Sequence, residues 1–312
     1  MAVTTRFAPS PTGRLHMGHA FSALAAYDFA AKTGGRFLLR IEDIDPGRTR
    51  EAFVEGILAD LAWLGLAWDG PVVRQSERLP LYAAALDRLK AAGLVYPCFC
   101  TRAAIAAEIA ASASAPHGPD GPLYPGTCRR LDVSERVRRQ KIEAHAWRLD
   151  VAAAMAVAGP LVWMDGHHGR VPATPEIHGD VVLARKDAPT SYHLAVTVDD
   201  AAQGVTDIVR GEDLYAATHV HRLLQALLDL PSPVYRHHPL LTGPEGRRLA
   251  KRDGARSLAE MRSDGVDPAT LVAALRKQQR SLLATPADAG ASAGADFAPD
   301  TLGQVTRIAD LD

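Results

Sequence analysis

Short apolar runs of strand length alternate with longer stretches whose apolar residues recur every three or four positions. "TTRFAP" (4–9) predicts a strand that stops at Pro9, which has no N–H to give a central ladder. From about Met17 to Lys32 the spacing is helical, and "TGG" (33–35) ends it as a glycine cap would. "RFLLRIED" (36–43) predicts a buried strand, and "REAFVEGILADLAWLGLAW" (50–68) a second amphipathic helix. Strand, loop, helix, strand, helix opens an α/β fold with a parallel, helix-covered sheet.

A helix is predicted over 78–92, after which the pattern changes. "VYPCFCTR" (95–102), a helix at about 102–112 and the loop "ASASAPHGPDGPLYPGTC" (111–128) suggest a small module closed by cysteines. Strand-like segments return at "GDVVLARKD" (179–187), "YHLAVTVDD" (192–200) and "VTDIVRGED" (205–213), the last leading into the helix "THVHRLLQALLDL" (218–230). These read as the second half of a split sheet. A strand-like "VYRHHPLL" (234–241) precedes the glycine-flanked loop "TGPEGRRLAKRDGA" (242–255), and short helices follow near 257–263 and 267–278. "ATPADAGASAGADFAPD" (284–300) has linker composition. The expected divisions are 1–77 and 179–256 for the two halves of the main domain, 78–178 for an insert with its cysteine module at 98–128, and 257–312 for a helical region and tail.

Composition narrows the class. The 312 residues are 47% hydrophobic and 23% charged, ordinary for a globular protein. No apolar run reaches the ~18 residues of a membrane helix, and "MAVTTRFAPS" lacks a signal-peptide layout, so a cytoplasmic protein that binds no membrane is expected. A net charge of −1 supplies no global field for nucleic acid, although "CRRLDVSERVRRQK" (128–141) and "GRRLAKRDGAR" (246–256) are locally basic. The three cysteines are odd in number and clustered, which points to metal rather than disulfides.

The candidate chemistry begins in "RFAPSPTGRLHMGHA" (6–20), between the first strand and its helix. A helix start offers unpaired N–H groups and a positive dipole end to phosphate. His16 and His19, three apart, fall on one face of that turn, and Gly18 removes a side chain where a ligand could lie against backbone.

This stretch resembles the first signature of the class I glutamyl-type aminoacyl-tRNA synthetases, with "HMGH" as the HIGH tetrapeptide. "RIEDIDPGRTR" (40–50), "IVRGEDLYAATHVHRLLQAL" (208–227) and the KMSKS-type "RLAKR" (248–252) resemble that family's further blocks, in order. The resemblance implies a Rossmann-like parallel sheet with an inserted zinc-containing subdomain and a short helical C-terminal region. It implies activation of L-glutamate with ATP and its Mg²⁺, by positioning and cationic stabilisation. His16, Gly18, His19 and Lys251 would then meet ATP, His16, His19 and Lys251 being catalytic. Glutamate would meet Arg6, Phe7, Ala8, Pro9, Ser10, Glu42, Tyr192 and Arg210. The guanidiniums of Arg6 and Arg210 suit carboxylates, Glu42 suits the ammonium, and Tyr192 adds a hydroxyl.

Three cysteines leave a structural zinc one ligand short. Side-chain chemistry alone offers His117; the resemblance implies the set Cys98, Cys100, Tyr124 and Cys128. Only about 60 residues follow the second signature, so the chain resembles the truncated glutamyl-queuosine tRNA(Asp) branch of the family. In that branch glutamate is activated without tRNA and passed to queuosine in the anticodon of tRNA(Asp), and a monomer is expected. An ordinary glutamyl-tRNA synthetase with a shortened C-terminus, or a non-catalytic tRNA-binding paralogue, are the alternatives. Ala250 stands where the family loop usually carries serine. Ala250→Ser is expected to speed glutamate-dependent pyrophosphate exchange; equal rates in the two proteins would remove that role for the hydroxyl.

Overall fold

A computed structural model describes residues 2–110, 117–119, 121–241 and 256–283, with backbone alone at 117 and 281–283. Strand β1 (Thr4–Phe7) ends before the proline loop, and helix α1 (Met17–Thr33) follows. Gly34 stops α1 at a left-handed φ of 61°, its N–H donating to the carbonyls of Ala30 and Ala31. Next come β2 (Arg36–Ile41), α2 (Glu51–Trp63), β3 (Val73–Arg74) and α3 (Leu79–Ala91). The middle of the chain supplies β4 (Val95–Cys98), α4 (Arg102–Ala110), β5 (His117–Gly118), β6 (Gly121–Pro122), α5 (Val133–Gln140), β7 (Ala146–Leu149) and α6 (Val151–Ala158). Then follow β8 (Val162–Asp165), β9 (Gly169–Pro172), β10 (Val182–Ala184), α7 (Tyr192–Ala202), β11 (Asp207–Gly211), α8 (Ala217–Leu227) and β12 (Val234–His238). Helices α9 (Leu258–Ser263) and α10 (Pro268–Leu283) complete the described part. No described helix is long and apolar enough to cross a membrane.

Strands β1, β2 and β3 run parallel, as do β11, β12 and β8. The two sets meet where the Thr206 N–H donates to the Thr4 carbonyl and the Thr4 N–H to the Thr206 hydroxyl, each at 2.9 Å. Helix α1 packs over β1, β2 and β11. The chain therefore leaves β1 in one direction and returns beside it through β11, which makes their carboxyl ends a topological switch point.

Phe21 and Leu24 of α1 pack in one core with Leu39 of β2, Ile57 of α2 and Leu271 and Leu275 of α10. Arg276 of α10 pins itself to Asp28 of α1 through contacts of 2.7 and 2.8 Å.

Three sequence expectations need correction. "YHLAVTVDD" is helix α7, not a strand: its buried residues include Leu194, Ala195, Val196, Asp199 and Asp200, so periodicity had no exposed face to report. "GDVVLARKD" yields β10, which pairs antiparallel with β7 in the β4–β7–β10 sheet rather than joining the parallel sheet. Conversely, β8 and β9 fall within 78–178 yet extend the main sheet, β8 pairing with β12.

The position of α7 follows from a buried ionic cluster. Arg40 of β2 is wholly buried, with Asp200 at 2.8 Å, Glu42 at 3.3 Å and Asp199 at 3.8 Å. Asp199 also accepts from Gln75 at 2.9 Å, Arg78 at 2.7 Å and the Tyr82 hydroxyl at 2.7 Å. Asp199→Ala leaves these donors and part of the Arg40 charge unpaired, and is expected to lower unfolding free energy by about 3–5 kcal/mol in urea titrations. A loss below about 1 kcal/mol would show that water replaces the carboxylate.

Candidate active site

The loop after β1 ends in a cap built from histidines. His16 is the N-cap of α1; its Nδ1 accepts from the Gly18 N–H at 3.1 Å. His19 Nδ1 accepts from the His16 N–H at 3.2 Å, closing a capping box. In neutral imidazoles these bonds place both ring protons on Nε2, and the rings stand 3.9 Å apart. A Cβ on Gly18 would lie 3.0 Å from the His16 ring, so this glycine makes room for that imidazole. Gly18 also lines the cleft.

That cleft, about 420 Å³, opens at the switch point between β1 and β11. It brings together Arg6, Phe7, Ala8, Pro9, Ser10, His16, Gly18, His19, Glu42, Tyr192 and Arg210, every expected glutamate and ATP residue but one. The exception is Lys251, which with Ala250 lies in 242–255, outside the described residues. The flanking residues do sit at the cleft. Leu241 lines it, and Ser257 bridges to His16 while Leu258 N–H donates to the Leu15 carbonyl at 2.9 Å.

The two arginines differ electrostatically. Arg6 holds Asp200 with Nε at 2.9 Å and an Nη at 3.2 Å. Burial alone would raise the Asp200 carboxyl, but Arg6 and Arg40 hold it below its ordinary value. Burial pushes Glu42 up against the pull of Arg40 and Arg6, and burial likewise raises the Tyr192 phenol. Arg210 donates to the Tyr192 hydroxyl and His221 Nδ1, both at 3.3 Å, and from Nε to His237 Nε2 at 3.3 Å. Its remaining nitrogen donates to the Leu214 carbonyl at 3.0 Å and the Thr218 hydroxyl at 2.7 Å.

Sequence reasoning missed Asp200, Thr218, His221 and His237. For Thr218 and His221 a signal existed, since residues three apart on α8 share a face. For Asp200 the misread strand hid it. A second chamber of about 560 Å³ shares Ser10, Thr12, Glu42 and Tyr192 with the cleft and runs to Tyr124 and Arg148.

The cysteines converge. Cys98, Cys100 and Cys128 place their sulfurs within 4.8 Å of one another, with Cys100 and Cys128 at 3.5 Å. Tetrahedral zinc with Zn–S near 2.3 Å sets sulfurs about 3.8 Å apart, so the group fits such an ion. The Tyr124 hydroxyl is 3.5 Å from both Cys98 and Cys100 sulfurs and accepts from the Cys128 N–H at 2.9 Å. Burial raises the Cys100 thiol to about 11 and raises the Tyr124 phenol, shifts that a bound cation would reverse. The His117 side chain lies outside the described residues.

A parallel sheet with a histidine-capped helix at its switch point has the catalytic fold of a class I tRNA synthetase. Residues 2–284 match the family described as tRNA synthetases class I (E and Q), catalytic domain. The glutamyl-Q tRNA(Asp) synthetase of Rhodobacter capsulatus is 53% identical over 274 residues, spanning 86% of this chain and 97% of that protein. The Deinococcus radiodurans protein of the same name is 46% identical over 280 residues, 88% of each chain. A crystal structure of glutamate-tRNA synthetase from Elizabethkingia anophelis superposes with a TM-score of 0.69 at 30% identity. The match covers 81% of this chain and 53% of that one, so this chain spans about half its length. The chain belongs to the class I tRNA synthetases of the E and Q type, in the family of the glutamyl-Q tRNA(Asp) synthetases.

Proposed function

We propose that the chain activates L-glutamate with ATP in the absence of tRNA and then passes it to queuosine in the anticodon of tRNA(Asp). The observation that carries the first step is the cleft's charge: a buried Arg210 with no carboxylate partner among the described residues, beside Arg6 and Glu42. Glutamate brings two carboxylates and one ammonium to that arrangement.

In the first step a glutamate α-carboxylate oxygen attacks the α-phosphorus of ATP, and pyrophosphate leaves with the bond electrons. The helix α1 N-terminus and the Nε2–H groups of His16 and His19 would donate to the phosphates, with Lys251 reaching the departing pyrophosphate. Mg²⁺ arriving with ATP would neutralise phosphate charge. In the second step a cyclopentenediol hydroxyl of queuosine attacks the acyl carbon, its proton is lost, and AMP leaves. The tRNA assignment rests on the names of the relatives. The second chamber, joined to the cleft at Ser10 and Tyr192, offers the modified base a way in.

We further propose that Cys98, Cys100, Tyr124 and Cys128 hold one structural zinc in the module at 98–128, supported by the placement of the Tyr124 hydroxyl beside two thiols. Metal analysis tests this. Tyr124→Phe is expected to reduce zinc well below about one per chain, and His117→Ala to keep it; the reverse pattern would sink the assignment.

For the reaction, purified chain is expected to support glutamate-dependent pyrophosphate exchange without RNA and to transfer labelled glutamate to tRNA(Asp) only when queuosine is present. Transfer that ignores the modification, or charging of the terminal adenosine of tRNA(Glu), would overturn the reading.

A further inference from the structure

Arg210 is 4% exposed, and all its described acceptors are neutral: two imidazoles, a phenol, a hydroxyl and a carbonyl. A buried guanidinium without a carboxylate is costly, and a carboxylate at either histidine position would relieve that cost. The histidines are themselves held in one tautomer. His237 Nε2 accepts from Arg210, so its proton sits on Nδ1, which faces Asp165 Oδ2 at 3.2 Å. The other Asp165 oxygen accepts from the N–H groups of His167 and His168 at 2.8 and 2.9 Å, in the β8–β9 turn. His221 Nδ1 accepts from Arg210, so its Nε2–H points to His193 Nδ1 at 3.2 Å. Burial, followed by the Arg210 charge, drives the His221 imidazole well below its ordinary value and His237 down to about 4. Both rings are therefore neutral at physiological pH.

We propose that His221 and His237 are positioning residues for glutamate: as neutral acceptors on two different nitrogens of Arg210, they aim its guanidinium without cancelling its charge, which is left for a substrate carboxylate. Any carboxylate in their place would orient Arg210 equally well and abolish the site. The inference rests on the glutamate-activation reading above and adds to it the reason imidazoles stand here. Asp200 on Arg6 marks the contrast, since that arginine's charge is already shared with a resident anion.

The test compares a neutral with an anionic acceptor in the full chain, by glutamate-dependent pyrophosphate exchange and by thermal unfolding. His221→Asn puts Oδ1 where Nδ1 was, and His237→Gln puts Oε1 where Nε2 was; each is expected to keep the glutamate KM within about threefold. His221→Asp is expected to raise the glutamate KM about 30-fold or more, with the ATP KM unchanged and Tm no lower than that of His221→Asn, because a buried ion pair with Arg210 replaces the substrate's own. A purely structural role would move Tm and kcat without separating the two substitutions. The proposal is overturned if His221→Asp binds glutamate like the parent, if His221→Asn is as impaired as His221→Asp, or if His221→Asp fails to fold. A parent chain without glutamate-dependent exchange would instead remove the functional reading, and this inference with it.

Discussion

Arg40 is the constraint around which the catalytic half is arranged. A guanidinium cannot shed its proton to enter a protein interior, and wholly buried Arg40 is met there by carboxylates. Two of them, Asp199 and Asp200, are adjacent in sequence. On a strand, neighbours point to opposite faces; on a helix they stand about 100° apart and can serve one cluster. The demand for both carboxylates thus fits α7 being a helix. It also fixes what α7 touches, since Asp200 reaches Arg6 of β1 and Arg40 of β2 while Asp199 reaches Arg78 and Tyr82 at α3. The first half of the sheet and the segment that follows it are joined through these oxygens.

The same cluster sets the electrostatics of the cleft. Arg6, Arg40 and Arg78 share Glu42, Asp199 and Asp200, three guanidiniums against three carboxylates. Arg210 stands across the switch point with only neutral acceptors bonded to it among the described residues, in a cleft that Asp213 also lines. On the proposed reading a glutamate carboxylate would pair with that guanidinium, whereas a neutral amide would leave its charge unpaired. Specificity in the proposed reaction would then come from a rigidly held guanidinium that has no resident carboxylate.

How much of this was legible in the sequence depended on how local the signal was. Strand β1, helix α1 with its Gly34 stop, and β2 were readable because turn chemistry and periodicity agree there. The cleft residues were readable through resemblance, and all those within the described residues converge. What failed was non-local. Helix α7 is buried among β10, α3 and α8, so its apolar run carried no amphipathic mark. Strand β8 joins the main sheet from within a segment whose cysteines marked it as separate. His221 and His237 are 16 positions apart in the numbering, and only the fold brings them to one guanidinium.

The histidines of "HMGH" show why a short motif can carry chemistry that its letters do not display. Read as letters, Gly18 clears space for a nucleotide and the imidazoles await phosphate. In the fold, His16 and His19 first close the cap of α1, and Gly18 clears space for His16 itself. Capping engages Nδ1 of each ring, which commits the proton to Nε2 before any ligand arrives. The cap therefore fixes both tautomer and ring orientation, so in the proposed reaction the donors would need no rearrangement as charge develops on a phosphate. An aspartate would cap the helix as well, but as an ionised carboxylate it only accepts and would supply no donor.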